Sequence, residues 1–356
     1  MENSAELIGL MSGTSGDGLD IAYCRFEKGD QWSFKILHAL TVPFPKELGV
    51  LLQNSHLLSS EQLTQLDVDF GAWMGKQVRD FCEQKSLRPL AVCSHGHTVF
   101  HQPSKGYSLQ IGNGWALHKQ SGFKVVNDFR MLDVQLGGQG APLVPIGDRL
   151  LFADMDFCLN LGGIANISME ENGKRLAFDT CPFNLLLNPF AQKLGAPYDD
   201  GGKWASEGKV NNDLLNQLNN LSYYKRVGAK SLGREDMEND FFPLLENSDL
   251  DEKDILATLV EHYAIQISQV IHRHSTNTCP RVLITGGGAY HEFFISRLDF
   301  YLESNWEKAE VSSTIIEFKE ALIFAFLGYL RILGIDNVLS DVTGADKDSC
   351  SGVIYG

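Results

Sequence analysis

The chain has 356 residues, 44% hydrophobic and 21% charged, with a formal net charge of −15. That length predicts two domains of about 150–180 residues each, and the composition excludes a wholly disordered chain. The acidic balance argues against a nucleic-acid binder, so an anionic ligand has to be held by local backbone donors rather than drawn in by the overall field. No run approaches the roughly 18–20 apolar residues of a membrane helix. Met1-Glu2-Asn3-Ser4-Ala5-Glu6 lacks the basic start of a secretory signal. The seven cysteines are odd in number and contain no C-x-x-C pair, so neither a zinc site nor a disulfide framework is expected and a reducing cytosol is.

In chain order, Leu7–Leu10 and Leu19–Phe26 read as strands joined by the turn-rich Met11-Ser12-Gly13-Thr14-Ser15-Gly16-Asp17-Gly18. Trp32–Val42 is a further strand. Ser59-Ser60-Glu61-Gln62 is a capping box that opens a helix to about Glu83, with Leu63, Leu66, Val68, Phe70, Trp73, Met74 and Val78 on its core face. Strands are predicted at Leu90–Ser94, Tyr107–Ile111 and Phe123–Asn127, with a short helix over Asn113–Gln120. His95, His97 and His101 cluster locally; they read either as a metal pair on one strand face or, with Gly96 between them, as a turn. The polar, glycine-rich stretch from Asp128 to Pro145 follows a strand, as ligand-contacting loops do; Arg130 and Asp133 there serve a ligand or pair with each other.

Phe157–Met169 repeats the strand, glycine turn, strand pattern, and Gly162 falls about 150 residues after Gly13, one domain length on. Arg175–Phe178 ends in Asp179, with a helix expected from Pro182 or Phe183; Asp179 reads either as a general base at a strand end or as that helix's N-cap. Ile255–His272 is a long buried helix started near Asp251 or Asp254. Arg281–Thr285 is a buried strand running into Gly286-Gly287-Gly288, then a helix over Ala289–Leu298 and another over Lys319–Leu333.

Glycine turns closing strands let backbone amides converge on phosphate oxygens without a lysine. Neither the P-loop nor the dinucleotide fingerprint is present. Taken together, the three glycine segments predict a nucleotide held between two lobes. Asp17, inside the first turn, either holds Mg²⁺ beside the phosphates or bonds turn amides as an Asx residue.

These segments resemble the anhydro-N-acetylmuramic acid kinase family over nearly the whole chain. The matching residues are Gly9-Leu10-Met11-Ser12-Gly13-Thr14-Ser15, Asp17-Gly18 and Asp20; Ser94-His95-Gly96 and Thr98; Gln110-Ile111-Gly112-Asn113-Gly114; Asp128-Phe129-Arg130; and Gly137-Gly138-Gln139-Gly140-Ala141-Pro142. Asn160-Leu161-Gly162-Gly163, Ala165-Asn166, Phe178-Asp179-Thr180, Gly233-Arg234-Glu235, Gly286-Gly287-Gly288 and Val342-Thr343-Gly344-Ala345 continue the match. The resemblance implies an α/β, two-lobed, actin-like sugar-kinase fold with duplicated ribonuclease-H-like cores. The lobes are placed at residues 1–140 and 141–318, with a helix and tail from about 319 packing back on the first. It also implies ATP and Mg²⁺ as cofactors, a cytoplasmic amino-sugar kinase of cell-wall recycling and a homodimer. The reaction implied turns 1,6-anhydro-N-acetylmuramic acid, ATP and water into N-acetylmuramic acid 6-phosphate.

Carried over residue by residue, Asp179 matches the base. Ser12, Gly13, Thr14, Ser15, Gly16, Asp17 and Gly18 match the phosphate-binding hairpin, with Asp17 toward Mg²⁺, and Asn160, Gly162 and Gly163 match its counterpart. Gly286, Gly287 and Gly288 match the adenosine side, and His95, Asp128, Arg130 and Glu320 the sugar side. Arg234 and Glu235 have no assigned role. The chain departs from the family where Gly16 replaces a leucine, His97 a glutamine, Cys181 and Phe183 two glycines, and Asn188 an aspartate. The larger side chains beside Asp179 are expected to narrow the sugar pocket or reshape its loop. The alternatives are an actin-like kinase for another sugar or anhydro-sugar, and a non-catalytic ATP- or sugar-binding regulator.

Overall fold

A computed structural model describes residues 4–12, 18–226, 230–233, 236–246 and 248–356. The chain forms two compact units, Met1–Phe152 with Phe318–Gly356, and Ala153–Glu317.

The first unit begins with β1 (Ser4–Ser12), β2 (Gly18–Lys28) and β3 (Trp32–Pro43), an antiparallel meander. Then come β4 (Val92–Ser94), the separate hairpin β5 (His97–Gln102) and β6 (Tyr107–Ile111), and β7 (Val125–Asn127). β4 lies parallel to β1, and β7 parallel to β4. The second unit has β8 (Phe157–Leu161), β9 (Ile164–Glu171) and β10 (Lys174–Pro182) as its meander, then β11 (Arg281–Thr285) and β12 (Glu307–Lys308). β11 is parallel to β8, and β12 parallel to β11. Each sheet therefore runs third, second, first, fourth and fifth strand, with three antiparallel strands followed by two parallel ones. This is the duplicated α/β core expected from the two glycine hairpins. A last strand, β13 (Val353–Tyr355), is added antiparallel to β7 at the edge of the first sheet.

Strand alternation sends side chains of β1 to both faces of its sheet. Ile8 and Leu10 join a core with Leu66, Phe70, Met74 and Val78 of the helix Ser60–Lys85, and Leu63 and Trp73 pack partly buried against it; Val68, expected on this face, is exposed. That helix starts with the expected capping box: the Gln62 N–H donates to Ser59 Oγ, and the Ser59 N–H to Gln62 Oε1. On the other face, Gly9 allows the helix Ser313–Leu333 to approach, since a Cβ there would lie 1.7 Å from the Ala321 carbonyl oxygen. Gly328 of that helix meets Cys93 in the same way.

The second unit packs Phe157, Leu159, Ile167 and Met169 against Leu256, Leu259, Tyr263 and Ile267 of the helix Glu252–His274. Asp251 caps that helix, its side chain accepting from the Lys253 N–H. The boundary between the units differs from residue 140. The helix Pro145–Leu151 belongs to the first unit, because Gly147 packs on Ile323 and Asp148 makes a buried 2.7 Å ion pair with Lys319. Among the described residues, no helix is long and apolar enough to cross a membrane.

Candidate active site

Asp179 lies in β10 opposite Asn166, at a register shift between Asp179 and Cys181. It is not an N-cap: the next helix runs Asn184–Lys193, and Phe183 precedes it with no side-chain cap. Its Oδ2 accepts from the Leu232 N–H at 2.9 Å. Among the described residues Leu232 is the one donor to this carboxylate. Burial raises its pKa to about 6 against the opposing pull of that hydrogen bond. A carboxylate that titrates near neutrality is suited to taking a proton.

The second glycine turn connects β8 to β9. Among the described residues, a Cβ at Gly162 would come no closer than 3.7 Å to any neighbour, and one at Gly163 would touch only Leu185 Cβ, at 4.0 Å. The fold itself leaves room for side chains there, so the bare backbone suits close approach by a ligand. Gly286 and Gly288 are different. Gly286 has φ 81° and would clash with Asn160 Oδ1 and the Leu161 carbonyl, while a Cβ at Gly288 would lie 2.4 Å from the Phe183 ring. Asn160 also accepts from Thr285 Oγ1 at 3.4 Å. Asn184 ties the two glycine segments together: its N–H donates to the Gly162 carbonyl, its Nδ2 to the Leu161 carbonyl, and Gly287 lies against it. A cavity of about 740 Å³ opens beside Gly287 and Gly288, lined also by Asn184, Asn188, Tyr198 and Tyr290. The predicted helix over Ala289–Leu298 is instead a 3₁₀ turn, Gly287–Tyr290, followed by the helix Glu292–Tyr301.

In the first unit, His95 and Arg130 come together. Arg130 Nη2 donates to His95 Nε2 at 2.8 Å, and Nη1 to the Gly140 carbonyl at 2.7 Å. His95 Nδ1 donates to the Gly96 carbonyl. Burial, reinforced by the adjacent guanidinium, holds His95 neutral, and burial brings Arg130 down to about 10. Both ring nitrogens of His95 are thus used within the protein. The imidazole orients the guanidinium of Arg130 and also borders a cavity. Asp128 holds a left-handed φ of 56° and accepts weakly from the Met131 N–H; burial raises its pKa. His95 and Asp128 line one cavity of about 340 Å³ with Ser108, Gln110 and Asn127. Glu320 follows Lys319 on the helix Ser313–Leu333, and burial raises its carboxyl pKa while Lys319 and Arg130 oppose the rise.

Arg130 and Asp133 brace the same glycine loop instead of pairing, since Asp133 accepts from the Gly140 N–H and from Thr343 Oγ1. The histidine cluster is a turn at Gly96, φ 74°, leading into β5. Among the described residues, no group of three metal-ligating side chains occurs. Ser12 donates from Oγ to His97 Nδ1 at 3.3 Å, while His97 Nε2 donates to the Leu52 carbonyl. Gly18 sits at the start of β2, where a Cβ would meet the Val42 carbonyl, so β3 accounts for that glycine. Gly13, Thr14, Ser15, Gly16, Asp17, Arg234 and Glu235 lie outside the described residues.

The two large replacements beside Asp179 point into the core of the second unit. Cys181 and Phe183 are both fully buried, and Phe183 packs on Tyr263 and Phe294 in the core. Asn188 does face the 740 Å³ cavity. Sequence reasoning missed Tyr223, whose hydroxyl donates to the Asp179 carbonyl oxygen at 2.6 Å. It also missed the Lys319–Asp148 pair beside Glu320. Neither contact has a local sequence signal, because each joins residues far apart in the chain.

The family model for anhydro-N-acetylmuramic acid kinase matches residues 5–356. Similar proteins of that name come from Aliivibrio fischeri, 32% identical with 98% of each chain covered, and Vibrio cholerae, 35% identical with 98% of this chain and 97% of that one covered. A third, from Vibrio vulnificus, is 33% identical over the same shares. A family match from residue 5 to residue 356, joined to relatives that align end to end, shows that the chain belongs to the anhydro-N-acetylmuramic acid kinase family.

Proposed function

We propose that this chain converts 1,6-anhydro-N-acetylmuramic acid, ATP and water into N-acetylmuramic acid 6-phosphate and ADP, with Asp179 as general base. The reaction follows from the family, a phosphotransferase family of cell-wall sugar recycling that acts on an alcohol group. The observation that carries the assignment of the base is the half-buried Asp179 carboxylate, raised to about 6 and held by the Leu232 N–H. In this reading Asp179 takes a proton from a water molecule as its oxygen attacks the anomeric carbon. The C1–O6 bond breaks, and O6, leaving with its electron pair, attacks the γ-phosphorus as the bridging P–O bond to the β-phosphate breaks and ADP leaves; the proton on Asp179 passes to solvent. Arg130, oriented by His95, faces the sugar together with Asp128 and Glu320. Gly162 and Gly163 offer bare backbone to the phosphates, and Gly286–Gly288 border the adenosine. Mg²⁺ needs few protein ligands when it arrives on nucleotide phosphates, which is compatible with the lack of a three-ligand cluster among the described residues. Asp17 would hold it directly or through water, and it would neutralise charge on the β- and γ-phosphates. Most of the acceleration then comes from positioning. The setting is the cytosol, where ATP is supplied.

The test is incubation with ATP, Mg²⁺ and the anhydro-sugar, with Asp179→Asn as control. ADP release that depends on the sugar and is lost in the variant is expected; release no greater than the variant's overturns the reading. In H₂¹⁸O, label is expected on the anomeric hydroxyl, and label found only in phosphate contradicts the chemistry.

A further inference from the structure

Asp179 lies on β10, the edge strand of its sheet, next to the point where the ladder register shifts. Edge position and bulge together leave a residue's direction poorly fixed by the sheet. Three hydrogen bonds compensate, and all come from one segment of chain. The Asp179 N–H donates to the Lys230 carbonyl at 3.0 Å, the Tyr223 hydroxyl donates to the Asp179 carbonyl at 2.6 Å, and the Leu232 N–H donates to Asp179 Oδ2 at 2.9 Å. A segment that only covered a sheet edge would bond along the strand. Among the described residues, the bonds from this one to β10 fall on Asp179 alone.

The segment's described residues are tied to one another. Arg226 pairs with Asp236 at 3.3 Å, and Asp236 also accepts from the Gly233 N–H. Lys230 Nζ sits 4.5 Å over the ring of Tyr223, which is fully buried. The main chain and the carboxylate of Asp179 are thus gripped by a unit with its own internal ties.

We propose that residues 221–226, 230–233 and 236 together are the positioning element of the catalytic base, with Tyr223 as its anchor. Tyr223 is a positioning residue: it acts through the Asp179 backbone. Its bond keeps the strand seated so that the Leu232 N–H reaches Oδ2. That N–H stabilises the charged carboxylate against burial, so a looser segment raises the carboxyl's proton affinity. Among the described residues, the other groups facing this region are the buried thiol of Cys181 and the Tyr223 phenol, both held neutral by burial, together with Lys230, Arg226, Asp236 and, from the long helix, Arg273. The inference rests on Asp179 being the base.

The test uses Tyr223→Phe in the full chain, which keeps the ring and its packing and removes one hydrogen bond. Expected are a kcat about 10-fold lower, a sugar KM changed less than about 2-fold, and an acid limb of kcat/KM moved upward by about half a pH unit. Arg226→Gln opens the staple at a half-exposed site and is expected to shift the limb in the same direction by less. Wild-type kcat and an unmoved limb in both variants overturn the proposal. The carboxyl titration of Asp179, read by ¹³C NMR and assigned with Asp179→Asn, needs no turnover. An upward shift in Tyr223→Phe supports the grip even if the anhydro-sugar is not the substrate, and an unshifted titration overturns it.

Discussion

Arg130 Nη2 donates to His95 Nε2 at 2.8 Å, and this one contact fixes the tautomer of the histidine and the plane of the guanidinium. A second bond, from Nη1 to the Gly140 carbonyl, makes the arginine a two-point bridge between the β4–β5 connection and the glycine loop. Lysine has neither the fork nor the fixed plane to span both acceptors. Arg130→Lys is therefore expected to lower kcat/KM for the sugar by about 100-fold at unchanged ATP KM. His95→Gln, which keeps an acceptor, is expected to lose less than His95→Leu, which leaves a buried guanidinium short of a partner. Equal losses in the two would mean that the imidazole touches the sugar. Steady-state kinetics in both substrates decide this.

The same region shows what a sequence can and cannot disclose. Short-range signals were legible: the Ser59–Gln62 capping box, the Asp251 cap and the glycine turn at 162–163 are each written within a few residues. Long-range pairings were not. β13 is only three residues long, and its partner β7 lies more than two hundred residues earlier, so periodicity gives it no signal. The facing of side chains was equally hidden. Cys181 and Phe183 sit beside the proposed base in sequence, yet the bulge after Asp179 turns both into the core. The choice between base and cap for Asp179 needed the helix start at Asn184, which lies too far along the chain for a cap.

The carboxyl of Asp179, raised to about 6, ties activity and stability to pH with opposite signs. As a base it must be ionised, so kcat/KM is expected to fall about 10-fold per pH unit below about 6 and to be level above it. For folding, a carboxyl whose pKa is higher in the native than in the unfolded state disfavours the native state above the native pKa. That penalty is relieved as pH falls from about 6 toward the ordinary aspartate value. The shift corresponds to at most about 3 kcal/mol, less after partial solvent access is allowed for. Asp179→Asn, inactive, is expected to unfold about 2–5 °C higher than wild type at pH 7.5, with the gap closing by pH 4.5. Calorimetry at the two pH values checks it; a variant less stable at pH 7.5 contradicts the burial-driven shift.

Gly163 and Gly288 separate a ligand's need for glycine from the fold's. Among the described residues, a methyl group at Gly163 would touch only Leu185 Cβ, at 4.0 Å; at Gly288 it would lie 2.4 Å from the Phe183 ring and 2.6 Å from Leu161 Cβ. Gly163→Ala is expected to leave the unfolding midpoint within about 1 °C of wild type while raising the ATP KM about 10-fold. Gly288→Ala is expected to destabilise by about 1–3 kcal/mol through overpacking, with weaker nucleotide binding as a consequence. If Gly163→Ala binds ATP as wild type does, phosphates do not approach that turn. Denaturation curves paired with ADP titrations read both effects.

Phe183 decides whether the bulky residues beside Asp179 bear on the sugar. Its ring is buried between Tyr263, at 5.2 Å, and Phe294, at 5.0 Å, and it also lies against Gly288. Removing it opens a core cavity rather than a pocket, so Phe183→Ala is expected to cost about 3–5 kcal/mol of stability. The gentler Phe183→Leu is expected to cost about 1 kcal/mol and to leave the sugar KM within about 2-fold, because the ring is fully buried in the core. Cys181→Gly is expected to behave alike in KM while losing some stability, since its thiol is equally enclosed. A large drop in sugar KM in either of the milder variants, with stability unchanged, would mean that these side chains narrow the sugar site after all. Chemical denaturation and initial-rate kinetics on the same preparations provide both measurements.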